Sequence, residues 1–183
     1  QTDGVFFLRI EDTDQKREIE NGVVDIVNSL KDFAMDPDEG MINQTEEIGN
    51  YGPYKQSLRK EIYQAYAKKF IEMGKAYPCF CSSEELDELR KKQEAAGVRT
   101  GYYGIWAKCR NLSVDEMITR IKNGEKYIVR FKSPGREDRK IRHKDVVKGN
   151  VDFPENDQDI VIIKADGLPT YHFAHAIDDH LMR

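Results

Sequence analysis

Cysteine is scarce. Three residues in 183, an odd number, exclude a disulfide framework and fit a reducing compartment. No apolar run approaches the ~20 residues that span a bilayer, and no basic, apolar, small-residue succession opens the chain, so neither a membrane-spanning nor a secreted protein is expected. Internal repeats and low-complexity segments are missing, which removes solenoids and compositionally disordered chains. No Gly-x-Gly-x-x-Gly is present, so a dinucleotide-type regulator lacks its phosphate-binding loop. Positive charge is not in excess either. With 29 Lys and Arg against 33 Asp and Glu the net charge is −4. That balance argues against phosphate binding over the whole surface, which is driven by cations that release counterions.

What is present is a polar, foldable composition. Charged residues make up 34% and hydrophobic ones 39%, enough for one ordinary domain or two small ones. Whole-chain charge hides a local pattern. Between positions 130 and 148, Arg130, Lys132, Arg136, Arg139, Lys140, Arg142, Lys144 and Lys148 meet only Glu137, Asp138 and Asp145. Such a stretch suits a nucleic-acid surface and equally a solvated hairpin face.

Hydrophobic periodicity organises the remainder. Residues 5–10, apolar except for Arg9, read as a buried strand. From Glu18 to Phe33, apolar residues recur at spacings of three and four (Ile19, Val23, Val24, Ile26, Val27, Leu30, Phe33), the mark of an amphipathic helix. Residues 36–53 read as loop. Ser57 is expected to cap a second helix reaching Met73, with Leu58, Ile62, Tyr63, Tyr66, Phe70 and Ile71 inward and Gly74 as its stop. A strand at 76–81 precedes a helix capped by Ser82 or Ser83, with Leu86 and Leu89 inward. After a loop at 97–104, another helix at 113–122 turns Met117 and Ile118 inward. Strands follow at 127–132, 144–153 and 159–164. In the first of these, Val129 and Phe131 alternate with an outward Arg130 and Lys132, whereas 160–163 are continuously apolar, as in a strand buried on both faces. Asp166-Gly167 forms a turn, and Tyr171 to Leu181 returns to helical spacing.

The chemistry gathers where the first strand ends, at Glu11, Asp12, Thr13 and Asp14. A helix N-cap accounts for any one of them. Three carboxylates and a hydroxyl at the carboxyl end of a strand, where open α/β folds hold ligands, require a cation nearby. The run Leu8-Arg9-Ile10-Glu11-Asp12-Thr13-Asp14 resembles the corresponding element of the bacterial glutamyl-tRNA synthetases, a family of class I aminoacyl-tRNA synthetases. Gly52-Pro53-Tyr54-Lys55-Gln56-Ser57-x-Arg59 and the stretch from Leu168-Pro169-Thr170-Tyr171 through His175 to Asp178-Asp179-His180-Leu181-Met182 extend the resemblance over nearly the whole chain. It implies an α/β fold. A partial Rossmann-type catalytic domain at 1–74 and 167–183 would be interrupted by an inserted α+β connective, acceptor-stem-binding domain at 75–166. The family's His-Ile-Gly-His and Lys-Met-Ser-Lys-Ser type motifs are not found, and the first strand has no earlier neighbour to pair with. An excerpt of a longer chain, inactive alone, is therefore expected.

The implied activity is ATP-dependent attachment of L-glutamate to tRNA(Glu) through a glutamyl-adenylate, with Mg²⁺ accompanying ATP. That chemistry relies on orientation and charge stabilisation more than on side-chain acid-base work, so the residues to seek are substrate holders. By resemblance, Glu11 holds the ammonium of glutamate, and Tyr171 and His175, one helical turn apart, complete the amino-acid site. Thr13, Asp14 and Arg17 lie by the terminal adenosine of the tRNA, where hydroxyls and carboxylates suit ribose and an arginine suits phosphate. The arginines for the substrate's side-chain carboxylate fall outside this chain, and Arg9 is read as structural. Asp178 and Asp179 are read as orienting neighbouring backbone in preference to binding Mg²⁺. Cys79, Cys81 and Cys109 resemble the zinc site of some members, but Asn111 stands where those carry His or Tyr. With Tyr102 or Tyr103 a poor substitute, zinc is not expected and the cysteines are read as small apolar groups.

Among relatives, glutaminyl and archaeal-eukaryotic glutamyl enzymes carry a Phe-Asp-Asp-Thr-Asn version of the first motif and are disfavoured. The truncated paralogue that glutamylates a modified tRNA base has Leu where Thr13 stands. A noncatalytic tRNA- or RNA-binding relative would use the basic 130–148 stretch but would leave Glu11 and Tyr171 without a purpose. A cytoplasmic monomer without membrane contact is expected.

Overall fold

The computed structural model describes residues 4–13 and 19–182. In chain order the elements are β1 (Phe7–Leu8), α1 (Gly22–Asp32), β2 (Glu39–Met41), β3 (Glu47–Ile48), α2 (Lys60–Glu72), β4 (Ala76–Cys79), α3 (Ser83–Ala95), α4 (Val114–Lys122), β5 (Ile128–Phe131), β6 (Lys140–Asp145), β7 (Gly149–Pro154), β8 (Val161–Ile163) and α5 (Tyr171–Met182). They divide into two compact units, Gln1–Tyr66 with Asp166–Arg183, and Ala67–Ala165. No helix among the described residues is long and apolar enough to cross a membrane.

In the first unit β2 pairs parallel with β1 and antiparallel with β3. The strand predicted at 5–10 is regular only at Phe7–Leu8, and beyond Arg9 a separate parallel bridge joins Ile10 to Lys55. Ile10 N–H donates to Tyr54 O and Gln56 N–H to Ile10 O, at 2.8 and 2.9 Å. Residues 36–53, expected to be loop, contain β2 and β3. Strands of three and two residues carry no readable period. Their connection is made by Asn43 Oδ1, which accepts from the backbone N–H groups of Thr45 and Glu46 at 2.9 and 2.8 Å. Gly40 has φ +128°, and a Cβ there would collide with the Leu8 backbone, so the close approach of β2 to β1 requires glycine.

Helix α1 buries Val23 and Val27 against Met41, Tyr54 and Met182. The helix is shorter than the predicted Glu18 to Phe33: Ile19 and Phe33 fall outside it and are exposed. The predicted cap Ser57 does not cap. A 3-10 turn, Gln56–Arg59, leads into α2, and the Ser57 N–H is taken by Asp12 Oδ1 at 2.7 Å. Leu58, expected inward, is exposed, whereas Tyr63 and Ala67 are buried as helical spacing requires.

In the second unit β5 pairs antiparallel with both β4 and β8. Ser82 caps α3 with a full capping box to Glu85, and Ser113 caps α4. Arg130 departs from expectation: it is buried, with its guanidinium 4.0 Å over the Tyr102 ring and a 2.8 Å bond donated to Asp159 O. Asp159 is the polar centre here. It accepts from Tyr77 Oη at 2.6 Å, from Ser133 N–H at 2.9 Å and from Arg110. Burial, then the hydrogen bond to Asp159, pushes the Tyr77 phenol well above its ordinary range. The single strand predicted at 144–153 is instead a two-stranded hairpin, with Lys140 opposite Pro154 and Asp145 opposite Gly149. Asp145 Oδ1 makes the turn by accepting from the N–H groups of Val147 and Lys148. Val146 and Val147, β-branched residues inside the expected strand, hid the turn that they form.

Candidate functional site

The site is built where the end of β1 meets α5. Residues one turn apart on α5 share a face, and Tyr171, His175 and Asp179 do so. The Tyr171 and His175 rings stack at 5.5 Å with 25° between planes, and His175 Nε2 lies 3.1 Å from Asp179 Oδ2. On the strand side, Arg9 and Glu11 are two residues apart and therefore project the same way. Arg9 Nη2 donates to Glu11 Oε1 at 3.2 Å and contacts His175 Nδ1 at 3.0 Å, and its Nη1 donates to Asp179 Oδ1 at 3.0 Å. Glu11 Oε1 lies 3.3 Å from His175 Nδ1.

Burial lowers the pKa of Arg9, but the hydrogen bonds to Asp179 and Glu11 and the charge of Asp178 outweigh that and leave it above the ordinary arginine value. The guanidinium is a fixed cation at the centre of four polar neighbours.

Behind this face, Asp178 is fully buried and holds side chains, not the neighbouring backbone foreseen from sequence. It accepts from Arg59 Nε at 2.8 Å, Gln56 Nε2 at 2.9 Å and Tyr63 Oη at 2.7 Å, with Arg9 Nε at 3.7 Å. Burial, then the bond to Asp178, raises the Tyr63 phenol above its ordinary range. These bonds seat α5 on the 54–63 segment, so the positions of Tyr171 and His175 follow from Asp178.

Two clefts meet at Glu11. One, of about 450 Å³, has Glu11, Asp12, Thr13, Lys55 and Tyr171 among its lining, with Val23 and Ile26 of α1 as an apolar wall. The other, of about 400 Å³, is lined by Phe7, Arg9, Glu11, Asp179 and Met182. Thus Glu11, Tyr171 and His175 come together, and Thr13 joins the first cleft as a buried residue. Asp14 and Arg17 lie outside the described residues. Asp12 pairs with Lys55 at 3.5 Å as well as with Ser57 N–H, so it caps the 3-10 turn that leads into α2. Arg9 is the residue that sequence reasoning undervalued; its two-residue spacing from Glu11 was the available signal.

In the second unit Cys79, at the end of β4, Cys81 and Cys109 bring their sulfurs within 4.8 Å of one another. Cys81 Sγ and Cys109 Sγ are 3.7 Å apart, and Tyr102 Oη lies 3.4 Å from Cys79 Sγ and 3.3 Å from Cys81 Sγ. Hydrogen bonds from Cys109 and Cys81 pull the Cys79 thiol well below its ordinary range, against its burial. Edges of ~3.8 Å are what a tetrahedron with ~2.3 Å metal–sulfur bonds requires, and the Cys81–Cys109 separation meets that. Tyr102 Oη, the oxygen beside the sulfurs, also accepts from Cys109 N–H at 3.0 Å, and burial raises its phenol above the ordinary range.

Known proteins of one family match this chain along its length. The glutamate–tRNA ligase of Clostridium beijerinckii is 55% identical over 183 residues, 100% of this chain and 33% of the relative. That of Acetivibrio thermocellus is 54% identical over 184 residues, again 100% of this chain and 33% of the relative. The crystal structure of a glutamate tRNA ligase from Elizabethkingia meningosepticum, in complex with its amino acid, superposes with a TM-score of 0.83 at 37% identity, covering 98% of this chain and 36% of that one. The chain thus spans about a third of the length of these relatives. The family model for tRNA synthetases class I (E and Q), catalytic domain, matches residues 1–183. The chain belongs to this class I tRNA synthetase family, and its fold is that of the family's catalytic domain.

Proposed function

We propose that this chain is the ligand-bearing middle of an enzyme that attaches L-glutamate to tRNA(Glu) with ATP, acting in the cytoplasm as a monomer. In the first step a glutamate carboxylate oxygen bonds to the α-phosphorus of ATP and pyrophosphate leaves. In the second the terminal ribose hydroxyl takes the glutamyl group and AMP leaves. Mg²⁺ would neutralise the phosphates, and no described residue is assigned to it. Glu11 accepts the ammonium of glutamate, while Tyr171 and His175 border the same place. Thr13, Asp14 and Arg17 serve the tRNA end. The observation that carries the reading is the convergence of Glu11, Tyr171 and His175 at one cleft edge in a chain matched along its whole length by glutamate–tRNA ligases.

Residues 75–166 are the connective, acceptor-stem-binding part. The β6–β7 hairpin is exposed on nearly all its residues, and Lys140, Lys144 and Lys148 on it suit a phosphate backbone. Arg136 and Arg142 are engaged by Asp138 and Asp152, which reduces the local excess seen in sequence.

The test is ATP–pyrophosphate exchange by the full-length protein carrying this chain. Glutamate-dependent exchange, and charging of tRNA(Glu), is the expected result. Tight tRNA binding with no exchange under any condition would make it a noncatalytic RNA-binding relative.

Cys79, Cys81, Cys109 and Tyr102 would hold one zinc ion as a structural staple between β4 and the 3-10 turn Lys108–Asn111. Elemental analysis should find about one zinc per full-length protein beyond any site elsewhere in it, lost in Cys81→Ser, with the melting temperature lowered by about 5 °C. Equal zinc content in wild type and variant would return the cysteines to simple packing.

A further inference from the structure

The contacts around His175 constrain which of its ring nitrogens donates. Arg9 Nη2, Glu11 Oε1 and His175 Nδ1 form a triangle with sides of 3.2, 3.0 and 3.3 Å. A guanidinium has donors only and never loses its charge in a protein. Nη2 carries two hydrogens, and the triangle offers two acceptors if Nδ1 keeps its lone pair. A proton on Nδ1 would set donor against donor toward Arg9 at 3.0 Å and leave it only Glu11 Oε1, farther off at 3.3 Å. The other ring nitrogen faces Asp179 Oδ2 at 3.1 Å and so donates to it. Asp179 in turn accepts from Arg9 Nη1. Arg9 and Asp179 thereby grip the two nitrogens of one imidazole, and the Tyr171 ring covers its face. These, with Glu11 and with Asp178 behind Arg9, are the charged and titratable groups turned toward His175 among the described residues.

We propose that Arg9 is a positioning residue of the amino-acid site: it orients the Glu11 carboxylate and holds His175 as the neutral Nε2–H tautomer, so that no second movable positive charge competes with the substrate's ammonium for Glu11. The inference rests on the reading of Glu11 as the ammonium holder. The contacts of the Glu11 carboxylate to Arg9 and to His175 both run through Oε1.

Lysine at position 9 keeps the charge but cannot serve Glu11, Asp179 and Nδ1 with one planar fork. Arg9→Lys in the full-length protein is expected to raise the glutamate KM about tenfold with kcat within about twofold. His175→Asn keeps both contacts of the ring, since its amide oxygen accepts from Arg9 and its NH₂ donates to Asp179, so Arg9→Lys should raise KM in that background as well. An Arg9→Lys variant whose kcat falls as much as kcat/KM, or whose KM is unchanged, would overturn the proposal.

Nitrogen chemical shifts of His175, assigned by their loss in His175→Asn, read the tautomer without any assay. Protonated Nε2 with bare Nδ1 at neutral pH is the expected result; an imidazolium or an Nδ1–H tautomer overturns the proposal even if no variant folds. Wild-type protein that shows no glutamate-dependent exchange would sink the synthetase reading while leaving the tautomer measurement to decide Arg9.

Discussion

Asp178→Ala is expected to lower hydrogen-exchange protection along α5 by about a hundred- to several thousandfold, the equivalent of about 3–5 kcal/mol for removing one member of a buried ion pair. Arg59 has only 2% of its side chain exposed and Asp178 none, so truncation strands a guanidinium charge in a dry site. Arg59 would keep its 3.0 Å bonds to the carbonyls of Tyr51 and Pro53, but dipoles do not replace a carboxylate. Gln56 Nε2 and Tyr63 Oη would lose their acceptor as well. Asp178→Asn keeps the shape and one acceptor oxygen and should cost about half as much. Exchange of individual amides is the right readout, because unfolding of a multidomain protein does not report one equilibrium. The loss should concentrate in α5 and the Gln56–Arg59 turn and leave the β4–β5–β8 sheet unchanged. Uniform loss across both units, or none, would show that Asp178 is not what seats α5.

The parts of the fold that the sequence discloses are those in which one local rule decides. Ser82 with Glu85 announces a capping box, Gly74 at φ +68° is the helix stop its position suggests, and α5 follows its spacing from Tyr171. What stays hidden depends on partners distant in sequence. Arg130 reads as the outward member of an alternating strand, yet Asp159 and Tyr102 draw it inside. Ile19 and Phe33 read as core and are exposed, because the helix runs only from Gly22 to Asp32 while the apolar period continues past both of its ends. In the site, residue identity at 11, 171 and 175 was legible through a resemblance between motifs 160 residues apart. The geometry was not: Arg9 bridges to Asp179 over 170 positions, and no spacing rule within either segment connects them. The cysteine cluster repeats the lesson, since Tyr102 Oη reaches Cys79 and Cys81 from a loop more than 20 residues away.

Glu11→Ala in the full-length protein is expected to raise the glutamate KM about a hundred- to a thousandfold in ATP–pyrophosphate exchange, about 3–4 kcal/mol, with a much smaller change in kcat. The split follows from the chemistry. The ammonium of glutamate does not change charge as its carboxylate attacks phosphorus, so Glu11 holds ground state and transition state alike, and uniform binding appears in KM. Alanine would also leave Arg9 Nη2 with His175 alone, so that the guanidinium, though still paired with Asp179 and Asp178, turns a less compensated edge to the place where the ammonium must come. Repulsion then adds to the loss of attraction. Glu11→Gln separates the two effects: its amide oxygen can still accept from Arg9, so orientation survives while the charge is gone, and a rise of about ten- to a hundredfold is expected. Affinity for tRNA(Glu) without glutamate should be unchanged in both variants. If Glu11→Ala left KM where it was, the carboxylate nearest the ammonium would have to be Asp179, which shares the second cleft with Glu11, and Asp179→Asn would then carry the KM effect instead.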